Sequence, residues 1–297
     1  MVKTNPAPTS LARRQLGAVL RRARDRKKLD LKDVAAAMGL GLGWSISKLG
    51  RIERGETGRL TLPEVEKLAK ILELSDEELS NLIGLLRQAA SKSKWYPYRD
   101  LLPGNDFRVY LDLESAAERL IMFHNNIIPG LLQTTAYAGA LDRTYFPNDS
   151  DVDLDRRCQL KAERQALITR RHNPVEVTAI LHEAVVHTLV GNRTVMDSQI
   201  AHLAEISKRP NISLRVLPFS AGLPLGTASG SFTIIDLKAN AEGEQSPVVY
   251  LESLTGAVCL DEPDEVDEHR VAATVIQRAA LDEVSTRTLL RQASKKG

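Results

Sequence analysis

The stretch GWSISKLGRIERG, residues 43–55, decides how the first third of this chain folds. Ser45 is placed as a helix N-cap, Leu49 and Ile52 fall three apart on one face, and Gly55 supplies a C-terminal stop. That leaves Ile46, Ser47, Lys48, Gly50 and Arg51 as the outward positions. Small polar and basic side chains on the outer face of a short helix are donors for base edges and phosphates.

Upstream, Leu11, Leu16, Val19, Leu20 and Ala23 recur at helical spacing behind Ser10 as N-cap, while Arg13, Arg14, Arg21, Arg22, Arg24, Arg26, Lys27 and Lys28 cover much of the remaining surface. Asp30 opens a second helix with the stripe Leu31, Val34, Ala35 and Met38, which the glycines at 39, 41 and 43 break. Downstream, Thr61 and Glu64 form a capping box with Pro63 in the first turn of a helix carrying Val65, Leu68, Ala69, Ile71 and Leu72. Ser75 and Glu78 repeat the box for a fifth helix. The expectation is an all-α helix-turn-helix domain of five helices over 10–90, behind an arm at 1–9 that holds two prolines. A protein-interaction bundle is the rival reading of the same helices.

Charge bears on that choice. The chain carries a net +2, but residues 1–94 hold 19 Lys+Arg against 11 Asp+Glu, a net of +8, and the remainder a net of −6. The split fits a first part that meets a polyanion, and on charge alone it fits an ordinary basic surface equally well. With 43% hydrophobic and 26% charged residues, global disorder is a poor reading. Cys158 and Cys259 lie far apart with no CxxC spacing, which indicates neither a zinc site nor a disulfide framework. The N-terminus lacks an apolar signal core and no stretch is long enough to span a membrane, so a cytoplasmic home is expected.

Residues 91–106, SKSKWYPYRDLLPGND, read as a linker, 107–292 as a larger domain and 293–297 as a tail. Leu113, Ala116, Ala117, Leu120, Ile121 and Phe123 predict a helix, Pro129-Gly130 opens another, and a charged helix runs over 153–170. Strands are predicted at 175–181, 212–218, 231–237, 247–253 and 256–260, with helices at 183–190, 194–208 and 264–292. The fold class is a mixed α/β domain with a central sheet. Catalytic patterns fail. HEAVVH, 182–187, misses the HExxH zinc motif by one residue, and an i,i+5 pair is separated by roughly 140° on a helix. GLPLGTASGS, 222–231, fits neither a Walker loop nor GxGxxG. No catalytic residue, metal or cofactor is expected, and the chain is read as not an enzyme.

The pattern S-x-S-K-x-x-R-I-E-x-G at 45–55 resembles the XRE-type helix-turn-helix family, the phage-repressor and Cro-like domains. The resemblance implies that Arg24 pairs with Glu53 to support the recognition helix, that Ile46, Ser47 and Arg51 meet bases, and that Ser45 and Lys48 lie near the DNA backbone, with Arg54 and Arg59 completing the DNA-facing set. The chain departs from that family in a longer turn, AAMGLGLG, and in the apolar Ile46. Glu114 to Ala116, IPGLLQT at 128–134, ERQ at 163–165, HEA at 182–184, VMDSQIAHL at 195–203, VLPF at 216–219 and VVYLE at 248–252 resemble the C-terminal domain of actinomycete regulators of the WhiJ-like, antitoxin-like class.

That resemblance implies a transcriptional regulator of development, antibiotic production or a toxin–antitoxin-like pair, often encoded beside a small partner protein. Expected partners are double-stranded operator DNA, a second copy of the chain and a small protein or ligand. Pro129, Gly130, Leu131, Leu132 and Gln133, with Arg164, Gln165, Glu183 and Glu252, form the candidate partner or effector site. The alternative is structural: leucines packed inward and Arg164 paired with Glu183. An antitoxin-like protein that sequesters its partner and binds DNA only to regulate itself is the second functional reading.

Overall fold

The computed structural model describes residues 11–39, 43–55, 60–90, 93–102, 104–238, 246–254 and 256–294. The chain divides into two compact units, Met1–Asp112 and Leu113–Gly297. The first is helical: α1 (Leu11–Arg26), α2 (Leu31–Gly39), α3 (Ile46–Glu53), α4 (Leu62–Leu72) and α5 (Asp76–Ala90). Their apolar stripes meet in one core through Leu16, Leu20, Val34, Met38, Leu49, Ile52, Val65, Leu68 and Leu82. Trp44, 6% exposed, joins that core just before α3, while residues 40–42 of the longer turn expected from the sequence lie outside the described residues.

Both capping boxes form. Thr61 N–H donates to Glu64 Oε2 at 2.8 Å, and Ser75 and Glu78 exchange bonds of 2.9 and 3.2 Å. The arm at 1–9 and the Ser10 cap lie outside the described residues. The expected linker at 91–106 belongs to the first unit: Trp95 is fully buried with its indole N–H on the Leu111 carbonyl at 3.0 Å, and Tyr98 is buried in a short 3-10 turn, Tyr96–Tyr98.

Helix α6 (Gly104–Ala116) leads directly into β1 (Ala117–His124), where a helix was expected to continue to Phe123. The reason lies in the sheet. β2 (Glu176–His182) pairs parallel to one side of β1 and β4 (Phe232–Leu237) antiparallel to the other, so Leu120 and Met122 bury on one face and Phe123 on the other. A central strand that is apolar on both faces has no alternation to show.

The six-stranded mixed sheet has the order β3-β2-β1-β4-β5-β6, with β3 (Ile212–Leu217), β5 (Val248–Ser253) and β6 (Gly256–Leu260). α7 (Thr135–Tyr145) and α8 (Asp151–Thr169) connect β1 to β2, and α9 (Glu183–His187) and α10 (Arg193–Ile206) connect β2 to β3. α11 (Pro263–Ala279) covers one face, where Val266, Ala273 and Ile276 pack on Phe123, Ile180, Phe232, Ile234 and Val249.

The single helix expected over 264–292 is two, α11 and α12 (Glu283–Ala293). Between them Leu281 N–H donates to the Val216 carbonyl at 2.9 Å, using the backbone to extend the β3 edge, and Asp282 caps α12 through Ser285. α12 runs to Ala293, inside the expected tail, and residues 295–297 are outside the described set.

Candidate nucleic-acid interface

Helix α3 is seated by two close approaches and one ion pair. A Cβ at Gly17 in the middle of α1 would stand 2.3 Å from the Ile52 carbonyl oxygen and 2.5 Å from that of Glu53, so only a bare Cα lets the end of α3 rest on α1. Gly55, at φ +68°, ends the helix, and a Cβ there would stand 2.7 Å from the Arg14 Cα. Arg24, late in α1, then donates through Nε and Nη2 to the two carboxylate oxygens of Glu53, each at 2.8 Å, and through Nη1 to the Leu29 carbonyl at 3.0 Å. The Glu53 side chain is 6% exposed. Its hydrogen bonds raise the already high Arg24 pKa against the opposing pull of burial.

With its inner side fixed, α3 turns a defined face outward. Ser45 Oγ accepts from the Lys48 N–H at 3.0 Å, which makes the hydroxyl a helix cap. Ile46 is 45% exposed, and Ser47, Arg51 and Arg54 are exposed. Gly50, expected outward, is buried, with Leu31 and Arg54 over it. Arg59 lies outside the described residues. Lys48 is half-buried; its ammonium lies 4.2 Å from the Trp44 ring centroid and 3.2 Å from Glu64 Oε1.

The basic surface of α1 is partly consumed within the protein. Besides Arg24, Arg26 meets Glu78 at 2.6 Å, Lys27 pairs with Glu73 and Arg21 stands 3.9 Å from Asp25. Three contributors escaped the sequence reading. Gly17, Trp44 and the pairing of the capping residue Glu64 with Lys48 each act through a contact distant in sequence.

In the second unit, most of the candidate effector residues come together, and they do so in the interior. Pro129 and Gln133 are buried and Leu131 and Leu132 point inward from a 3-10 turn, Gly130–Leu132. Arg164, from α8, lies against Gly130 and forms a two-pronged pair with Glu114, at 2.8 and 2.9 Å, with side-chain exposures of 6% and 0%. The predicted Arg164–Glu183 pair is therefore replaced.

Gln165 donates to the Gln133 carbonyl, and Gln133 to that of Ile128 at 2.7 Å. Gln199, unnoticed as a site residue, donates to the Leu132 carbonyl at 2.8 Å and accepts from Thr134 N–H at 2.6 Å. Together they fasten the PGLLQT turn.

Glu183 engages other groups: it accepts from Phe219 N–H at 2.8 Å and faces His187 at 3.4 Å. Glu252 is exposed on β5, within electrostatic reach of Arg164. His182 ends β2 and accepts the Ala184 N–H through Nδ1 at 3.1 Å. Among the described residues no group of three His, Cys, Asp or Glu is arranged to hold a metal, and no helix is long and apolar enough to cross a membrane.

Residues 15–82 match the model of a helix-turn-helix domain, and residues 107–292 match that of a family described as Domain of unknown function (DUF5753). No curated protein and no solved structure matches the chain.

Proposed function

We propose, for a chain that belongs to the DUF5753 family and carries an N-terminal helix-turn-helix domain, that it is a sequence-specific DNA-binding transcriptional regulator, a repressor of the XRE type. The observation that carries this reading is the seating of α3. Its inner side is pinned by Gly17, Gly55 and the Arg24–Glu53 pair, while Ser47 and Arg51 stand exposed one helical turn apart. Such a helix delivers hydroxyl and guanidinium donors to a major groove without having to reorganise. The C-terminal domain, in this reading that of a WhiJ-like regulator, brings two copies together so that two α3 helices meet half-sites one turn of DNA apart, and passes on a signal from a small partner protein or ligand.

The test is binding of the full chain to fragments of its own upstream region at two salt concentrations. Wild type binds one fragment selectively and more weakly at higher salt, whereas Arg51→Ala loses about 1–3 kcal/mol of that selectivity with its fold intact. Selective binding that Arg51→Ala leaves untouched would sink the assignment of α3 as the reader.

A second reading, capture of a small partner protein with DNA binding kept for autoregulation, draws on a different surface. Phe219, 57% exposed, packs against the rings of His182 and His187, and Leu189 and Leu223 on the same two segments are 64% and 69% exposed. Absence of selective binding by wild type at either salt would favour it.

A further inference from the structure

Lys48 is the one cation in the first turn of α3, where an unpaired charge would attract any phosphate. Its ammonium is held between two groups of the protein: the Trp44 ring, 4.2 Å away, and Glu64 Oε1, at 3.2 Å. Both side chains of the ion pair are about one quarter exposed, at 28% and 24%, so water screens it only in part. Glu64 is doubly committed. Its other oxygen accepts from the Thr61 N–H at 2.8 Å and the Thr61 hydroxyl at 2.9 Å, which fixes the carboxylate at the start of α4 whether or not Lys48 is present. Burial pushes the Glu64 carboxyl up, but these bonds outweigh it and hold the pKa below the usual carboxylate range, so the group is charged throughout the neutral range.

Resting on the DNA-binding reading, we infer that Glu64 sets the selectivity of the reader by neutralising Lys48 in the free protein. The pair presents no net charge to a distant phosphate and releases no counterion on a casual encounter. The ammonium is surrendered only when the rest of α3 has docked and brings a phosphate within reach. Random-sequence DNA then loses a contact that the operator keeps.

Glu64→Gln tests this, because glutamine at the third helical position still serves the capping box but cannot hold the charge. The full chain is titrated with a random-sequence duplex and with its upstream fragment between about 50 and 200 mM salt. For Glu64→Gln, the log–log salt slope on random duplex steepens by about one, equivalent to a roughly fourfold larger affinity loss across that range, and the preference for the upstream fragment falls. Lys48→Gln lowers the slope on the upstream fragment by about one more than on random duplex, since the freed Glu64 carboxylate acts on both while only the operator loses the lysine contact, and the double variant Lys48→Gln/Glu64→Gln returns the random-duplex slope to the wild-type value.

An unchanged slope in Glu64→Gln overturns the inference. So does an effect that persists in the double variant, since Glu64 would then be acting as one acid in a general field. Equal changes for Lys48→Gln on both duplexes also overturn it, and this readout stands even if Glu64→Gln melts early. Wild type that binds no duplex at all removes the DNA-binding reading and the inference with it, an outcome distinct from the other three.

Discussion

Gly17 shows how a single hydrogen atom fixes the geometry of the α1–α3 pair. In an isolated helix, alanine would be favoured over glycine by about 1 kcal/mol. Here the added methyl would overlap two backbone carbonyls at 2.3 and 2.5 Å, and backbone cannot rotate aside as a side chain can. The steric effect therefore decides the sign. Gly17→Ala is expected to destabilise the first unit by at least about 1–2 kcal/mol and to weaken DNA binding beyond the loss of stability, because α3 is pushed off its seat. Trp44 and Trp95 are both buried in that unit, so their fluorescence follows its unfolding directly. A variant as stable as wild type would show that the α1–α3 contact yields to admit a methyl group. Arg24 and Glu53 belong to the same seat: breaking their part-buried pair with Glu53→Ala leaves a guanidinium with only its Leu29, Asp25 and solvent contacts, and about 2–3 kcal/mol of destabilisation is expected in the same fluorescence assay.

At the scale of elements, what was legible depended on whether the deciding interaction is local. The stripes of α2 and α4 and the boxes at Thr61–Glu64 and Ser75–Glu78 rest on residues within one or two turns of one another, and spacing alone exposes them. β1 was hidden because Leu120 to Phe123 bury both faces, and the break before α12 was hidden because it serves the β3 edge sixty-five residues upstream, Leu281 to Val216. The candidate DNA face was readable as far as residue type goes, but the burial of Gly50 and the capture of Lys48 depend on Leu31, Trp44 and Glu64. The PGLLQT turn and the segments holding Glu114 and Gln199 were each recognised, but not that Glu114 holds Arg164 beside the turn and Gln199 bonds its Leu132 carbonyl, since each acts from a distant helix. Its buried ion pair makes a sharp prediction. Glu114→Ala leaves the Arg164 guanidinium without its carboxylate in the interior and costs about 3–5 kcal/mol, whereas replacing both partners by apolar residues of similar volume costs far less. Denaturant titration of the two variants checks it; equal losses would mean that Arg164 is held chiefly by contacts other than Glu114.

For the molecule as a whole, the stability of the fold should depend on pH well above the range in which carboxylates titrate. His124, at the end of the central strand β1, has an Nδ1 closed off from solvent without a hydrogen-bond partner, and burial pushes its pKa down from 6.5 to about 4. Between those two values the unfolded chain binds a proton that the folded chain refuses, so stability falls as pH drops from 6.5 toward 4 and is fully retained above 6.5. The loss integrates to about 3 kcal/mol. His202, whose pKa burial also lowers, contributes with the same sign. The lowered Glu64 and Glu78 carboxyls act in a separate, more acidic window, losing their stabilisation as pH falls below the ordinary carboxylate value. Both tryptophans lie in the first unit, so the transition must be followed by circular dichroism or by exchange of amides in the second. In His124→Phe most of the slope between pH 6.5 and 4.5 should vanish while stability at pH 7 is kept, because an apolar ring has neither a proton to bind nor a nitrogen to satisfy. The residual slope would combine His202, acting in the same direction, with the Asp112 and Glu252 carboxyls, which burial pushes up and which therefore act in the opposite direction. A variant with the full wild-type slope would show that the His124 ring takes up its proton in the folded state, and so that water reaches the end of β1.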